Sequence, residues 1–324
     1  MTNNPHALIC AHVLGGRRVE SLAAANHWQS SEGPLWLHLN RHADDTKRWL
    51  TKSREVSAAD REALLAEETR PRLLVNERRL LLILRGVNLN PGADPEDMVS
   101  IRVWINAERI ISLRGPQLLA VMDMRKAIDS GGGPRSTGQW LAQLIEGLTE
   151  RMGPVIEDIA GALDDVEDEL MTRTGPDLRS TLATRRRQAI ALRRFLAPQR
   201  EVLQRLYATP PDWLDDMDKG RIRESADRLN RFVEDLDALR ERAMVTQEEL
   251  NTRAAERMNR NMYLLALVTA VFLPLGFITG LLGMNVAGLP GTETPKAFWW
   301  VCGAMLALVA SQIAVLSRRR WWGA

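Results

Sequence analysis

Hydrophobic and polar positions change their period twice along the chain. Early on, apolar residues come in short runs, Ala7 to Leu14, Leu35 to Leu39, Arg72 to Val75, Leu80 to Val87, Val99 to Ile105 and Arg109 to Leu113. Runs of this length, rich in Leu, Val and Ile and bounded by polar breaks, predict strands. Asn76-Glu77-Arg78 and Asn106-Ala107-Glu108 read as hairpin connections, while Asp44 to Trp49 and Ala58 to Glu68 have helical composition. Residues 1–133 are therefore expected to form an α+β domain of mixed strands and helices. Gly131-Gly132-Gly133-Pro134 closes it or links it onward, and without a following Lys-Ser or Lys-Thr pair it lacks the P-loop spacing.

From Ser136, a candidate cap, the period becomes helical through Trp140, Leu141, Leu144, Ile145 and Leu148. Helices over Val155 to Met171 and Asp177 to Tyr207, separated by Gly175-Pro176, make residues 134–211 a helical hairpin region, with Pro198 a point of kink or break. Thr209-Pro210-Pro211-Asp212 stops one helix and starts another, Asp212 being able to cap it. Ile222, Ala226, Leu229, Val233 and Leu236 recur at spacings of four and three, and Leu239, Ala243, Leu250, Ala254 and Met258 extend the stripe. The cytoplasmic half of this stripe has the character of a coiled-coil seam. No proline falls between Pro211 and Pro274, so one helix from Trp213 to Leu282 would be about 105 Å long at ~1.5 Å per residue.

No charge interrupts Asn261 to Thr292 or Ala297 to Ser317, and each stretch reaches the ~20 residues that cross a hydrocarbon core. The expected plan is a stalk helix over 212–260, spans over 261–284 and 297–317, a loop over 285–296 and a tail over 318–324. With 26% charged residues overall, the membrane part is a minority of the chain. The amino terminus lacks the basic and long apolar regions of a secretory signal. Arg253, Arg257 and Arg260 precede the first span, Arg318, Arg319 and Arg320 follow the second, and Lys296 alone lies between, which places both ends in the cytoplasm. Phe298-Trp299-Trp300 and Trp321-Trp322 bracket the second span as interfacial belts.

Candidate chemistry concentrates where the first span ends. Gly283-Met284-Asn285 sets a backbone-exposing glycine and a carboxamide at a membrane exit, the character of a pore mouth. The stalk's phase continues towards it through Met262, Leu265, Thr269, Leu273, Gly276 and Gly280. Two spans cannot enclose a wide aqueous path, so a symmetric ring of subunits lined by the first span is expected. Asn285 oxygens would hold a hydrated cation through its waters, or the residue simply caps the helix. Thr269 offers a hydroxyl, Gly276 and Gly280 backbone carbonyls, and Met262, Leu265 and Leu273 apolar constrictions, with close helix packing the competing explanation.

Glu293 is the one acid of the external loop, either attracting cations or simply solvated. Glu157, Asp158, Asp164, Asp165, Glu167, Asp168 and Glu169 crowd a cytoplasmic helix, as a metal-attracting lining or regulatory site, or as a solvated face paired with Arg185, Arg186, Arg187, Arg193 and Arg194. Pairing is the expected role. Arg318, Arg319 and Arg320 would anchor the tail at anionic lipid heads. Cys10 and Cys302 form no framework, and His6, His12, His27, His38 and His42 show no repeated ligand spacing, so ordinary core or surface roles are expected. No nucleophile-base pair, cofactor fingerprint or nucleic-acid motif appears, which points away from an enzyme and from a nucleic-acid partner. A two-span receptor signalling through the long helix is the alternative from another class.

Arg257-Met258-Asn259, the span through Phe272-Leu273-Pro274-Leu275, Gly283-Met284-Asn285, and a second span ending in Arg318-Arg319-Arg320-Trp321 resemble the CorA-type divalent metal transporters. Phe272 to Gly283 and Asn285-Val286-Ala287-Gly288-Leu289-Pro290-Gly291 are most similar to its ZntB-like zinc branch. Leu282 replaces the aromatic that magnesium-transporting members commonly place there, and their Met-Pro-Glu-Leu loop is missing, whereas Met284 is of the magnesium type. The resemblance implies a homopentameric funnel in a bacterial inner membrane, with Asn259 added to the pore-lining set. It also implies transported Zn2+ as cargo rather than a resident cofactor, with proton-coupled uptake. Mg2+, Co2+, Ni2+ and Cd2+ are the alternative ions, and a gating role for the basic tail is a further implication.

Overall fold

The six apolar runs pair into one sheet of order β1-β2-β6-β5-β4-β3: β1 Leu8–Val13, β2 Leu35–Asn40, β3 Arg72–Asn76, β4 Arg79–Gly86, β5 Val99–Asn106 and β6 Arg109–Arg114. Only β2 and β6 run parallel; the other neighbours are antiparallel. This computed structural model describes residues 7–67, 69–76, 78–172, 176–284, 289 and 294–320, with backbone alone at 171, 172, 176, 316 and 318–320. The β5–β6 connection turns on Asn106, whose Oδ1 accepts from the amides of Glu108 and Arg109. In the other hairpin, Glu77 lies outside the described residues.

Strand alternation gives the sheet two apolar faces. On one, Leu35, Leu37, Leu39, Leu81, Ile83, Trp104, Ile111 and Leu113 form a core with Leu50 of α2 (Asp44–Lys52) and Ala63 and Leu64 of α3 (Ala58–Leu65). The helix expected to reach Glu68 stops at Leu65 for a visible reason. The buried Arg102 guanidinium donates to the carbonyls of Leu64 and Glu67, and Arg41 donates to that of Ala66. Those acceptors are committed outside a helical ladder, and Glu68 itself lies outside the described residues.

The opposite face carries Trp36, whose ring lies 5.5 Å from that of Trp140 on α5 (Thr137–Glu150). Gly86 lets this helix approach β4: an added Cβ would come 2.7 Å from a Leu148 methyl. Ser136 caps α5 as expected, accepting from the Gln139 amide at 3.0 Å. Just before it, α4 (Leu119–Asp129) is a helix that the sequence reading did not separate from its surroundings. The amides of Gly131 and Gly132 close its carboxyl end on Ile128 and Ala127, with Gly131 and Gly133 at positive φ, so the glycine run is a helix stop.

Helix α6 (Met152–Thr172) begins earlier than Val155 because Gly153-Pro154 fits a first turn, and α7 (Pro176–Ala208) runs through Pro198 without a break. The long helix α8, Asp216–Leu282, starts four residues after Asp212. Its cap is Asp215, which accepts from the Asp218 amide at 2.7 Å. Helix α9 spans Ala297–Arg320. Two compact units result, Met1–Glu248 and Glu249–Ala324.

In the first unit, Ile222, Ala226, Leu229, Val233, Leu236, Leu239 and Ala243 are all buried within the single chain. The stripe expected to act as a coiled-coil seam is thus occupied by the chain's own helices. Arg193 of α7 pairs with Asp237, and Gly153 of α6 approaches Phe232. At the start of α8, Asp218 is buried against Gly138, where an added Cβ would collide with its carboxylate.

Burial, and secondarily the neighbouring Asp215, pushes the Asp218 carboxyl up to about 6. A carboxyl raised in the folded state binds its proton more tightly there than in the unfolded chain. Stability therefore falls as pH rises from the ordinary carboxylate range through about 6, and stays at the lower level above it. Asp218→Asn should raise the melting temperature of the detergent-solubilised protein by about 2–4 °C at pH 7.5. The difference should close below about pH 4, as thermal scans across pH would read.

Candidate functional site

The second unit contains the carboxyl-terminal part of α8 and α9, both long and apolar enough to cross a bilayer, and the apolar windows of neither are buried. Within α8 from Asn261 to Leu282 the half-covered positions are Leu267, Val271, Pro274, Leu275 and Ile278. On α9 they are Ala297, Val301, Cys302, Met305, Leu308, Val309 and Gln312. Both sets recur at helical spacing, and Gln312 Nε2 reaches the Ala270 carbonyl at 3.3 Å, so α9 returns along this one face of α8.

The predicted stripe lies on the other face. At 100° per residue, Met262, Leu265, Thr269, Leu273, Gly276 and Gly280 centre about 180° from the face that α9 covers. Met262, Leu265 and Leu273 are 63%, 68% and 71% exposed. Asn259 is exposed as well. Thr269, Leu273 and Gly276 share an open apolar groove with Val268, Phe272, Pro274 and Phe277. The Thr269 hydroxyl donates to the Leu265 carbonyl at 2.9 Å, which leaves its oxygen lone pairs turned outward as acceptors. No charged side chain occupies this face between Arg260 and the end of α8.

Gly283 ends the helix, its amide bonding the Thr279 carbonyl at 2.9 Å, where an added Cβ would lie 2.9 Å from that same oxygen. Its backbone is not left-handed, so glycine serves here for close approach rather than for φ. Met284 is 46% exposed. Asn285 and Glu293 lie outside the described residues, as do the side chains of Arg318, Arg319 and Arg320.

Of the seven cluster acids, Asp158, Asp164 and Glu167 are seen in ion pairs. Asp158 meets Arg185 of α7 at 2.9 Å, as the pairing expectation has it. Asp164 and Glu167 converge instead on Arg242 of α8, each at 2.6 Å, with Thr246 donating a further bond to Glu167. Glu167 first and Asp164 second hold that guanidinium above its ordinary basicity. Arg242 was missed from sequence because its partners are more than 70 residues away. Glu157, Asp165 and Asp168 face solvent and Glu169 is half-buried. Among the described residues, no group of three His, Cys, Asp or Glu side chains is placed to hold a metal.

The remaining candidates occupy ordinary positions. His12 and His38 are buried beside Trp36, and His38 bonds Ser112 at 2.8 Å. Burial above all, with Arg114 and Arg125 nearby, holds His38 down at about 3, so it stays neutral. Burial pushes the Cys10 thiol up to about 12, which keeps it from being a thiolate ligand at neutral pH. His27 and His42 are exposed, and His6 lies outside the described residues.

A family model for the CorA-like Mg2+ transporter protein matches residues 31–319. The chain is 42% identical over 327 residues to the divalent cation transporter CmaX of Pseudomonas aeruginosa, covering 99% of this chain and 98% of that one. It is 38% identical over 292 residues to the zinc transport protein ZntB of Pectobacterium atrosepticum, covering 90% and 89%. The solved structure of full-length CmaX superposes with a TM-score of 0.85 at 41% identity over 99% of this chain and all of that one. The sheet, the long helix and the carboxyl-terminal helix pair thus recur together in a relative of known structure, and this chain belongs to the CorA-like transporter family.

Proposed function

We propose that the protein carries divalent cations across a bacterial inner membrane, with zinc as its principal cargo, through a homopentameric pore lined by α8. The observation that carries this reading is the stripe from Met262 to Gly280. It lies opposite the face covered by α9 and is free of charge, and it combines apolar side chains with a hydroxyl and two glycines. Five copies facing a common axis would make apolar constrictions at Met262, Leu265 and Leu273, which pass ions by wetting and dewetting, with acceptor oxygens between them at Thr269. The names of the relatives support a divalent ion, and a ZntB relative at 38% identity supports zinc in particular. Leu282 before the Gly-Met-Asn entrance supports it as well.

In this reading Gly283, Met284 and Asn285 form the entrance, where neutral carboxamide oxygens hold the hydrated ion through its waters without trapping it. Glu293 concentrates cations outside, both termini are cytoplasmic, and the basic tail lies against anionic lipid. Uptake is coupled to protons.

Purified protein in liposomes should pass zinc faster than magnesium, and an inward proton gradient should accelerate zinc entry. Absence of flux for every divalent ion would sink the transport reading, whereas zinc flux indifferent to the gradient would remove proton coupling alone. Asn285→Ala should lower zinc flux about tenfold or more, the scale set by losing hydrogen bonds to a charged species. Flux equal to that of the parent would show that Asn285 only ends the helix. Light scattering of the detergent-solubilised protein should return five chains per particle.

A further inference from the structure

Pro274 is the one proline inside α8, and it lies on the face turned towards α9. Proline has no amide hydrogen, so the carbonyl of Ala270, four residues earlier, loses its donor in the helical ladder. Within a bilayer no water replaces that donor, and an unmet carbonyl is costly. Gln312 of α9 supplies the replacement, donating from Nε2 to the Ala270 oxygen at 3.3 Å. The nearby hydroxyls are committed elsewhere: Thr269 donates to Leu265, and Thr279 to Leu275 and Gly276. The second polar atom of Gln312, Oε1, is buried and has no partner among the described residues. Its carboxamide is therefore tied to α8 by a single bond, made to the one carbonyl that the proline frees.

Position matters as much as the bond. Leu273 and Gly276 flank Pro274 in sequence and face away from α9, on the stripe. A change in helix geometry at Pro274 reaches both through one or two residues of shared backbone. We propose that Gln312 is a positioning residue for ion passage: by restoring the hydrogen bond that Pro274 removes, it sets where α8 presents Leu273 and Gly276. The proposal rests on the reading that α8 lines the pathway.

The test compares the full-length parent, Gln312→Leu, Pro274→Ala and the double variant, measuring melting temperature and zinc flux over a range of zinc chloride concentrations. Gln312→Leu should lower the melting temperature and reduce maximal flux about three- to tenfold, the scale of a hydrogen bond between membrane helices, at unchanged half-saturating zinc. In the Pro274→Ala background residue 274 has an amide hydrogen for Ala270, so adding Gln312→Leu should change neither quantity appreciably. Equal losses in both backgrounds would overturn the proposal, as would an effect confined to the half-saturating concentration. Coupling seen in melting temperature but not in flux would reduce Gln312 to a stabilising contact and overturn its positioning role. Should Gln312→Leu fail to assemble, assembly of the double variant supports the proposal and failure of both overturns it. A parent protein without flux defeats the transport reading and the positioning role with it, while the melting temperatures still report whether the bond exists.

Discussion

A 67-residue helix persists only if something accounts for each of its faces, and α8 meets two different surroundings along one continuous backbone. In the first unit it is amphipathic: one stripe is buried by the chain's own helices, and the charges opposite make ion pairs or face water. From Asn261 to Leu282 it carries no charge on any face, and α9 covers only the side opposite the stripe of Met262 to Gly280. Between Met262 and Gly280 that stripe stays open within the chain, and apolar side chains, a hydroxyl and glycines are what it offers there.

How much of this the sequence disclosed follows the range of the forces involved. Strands and helix interiors depend on local alternation, and the six strands agree with the apolar runs to within a residue or two at each end. Endpoints depend on partners elsewhere in the chain. Helix α3 stops where Arg102, 38 residues on from Leu64, takes its carbonyl, and α8 is capped by Asp215 rather than Asp212. The pairing of Asp164 and Glu167 with Arg242 belongs to the same class, since no short-range pattern brings those residues together.

The candidate pathway was legible as a phase and a motif, not as a contact. Counting residues places Leu265, Thr269, Leu273 and Gly276 on one side of a helix, but says nothing of which side a second helix will cover. That second helix is also why Gln312 escaped notice. Its signal is a carboxamide in a stretch otherwise free of long polar side chains, alongside a neighbouring span that carries a proline. Either alone is unremarkable; the pairing of an amide donor with a carbonyl lacking its amide emerges only from the fold.

Gln199 completes the hydrogen bonding of β4 where β3 no longer reaches it. Its Oε1 accepts from the amide of Arg85 at 2.6 Å and its Nε2 donates to the carbonyl of the same residue at 3.1 Å. Strand β3 ends its pairing at Ile83, so this carboxamide takes the place of the next residue of a neighbouring strand and closes the exposed edge of β4. A sheet edge with free amides is a template for edge-to-edge aggregation, and a single side chain from α7 removes that option at the point where the edge strand runs out. That one carboxamide also ties α7 to the sheet, so a helix takes over the hydrogen bonding that a partner strand would supply.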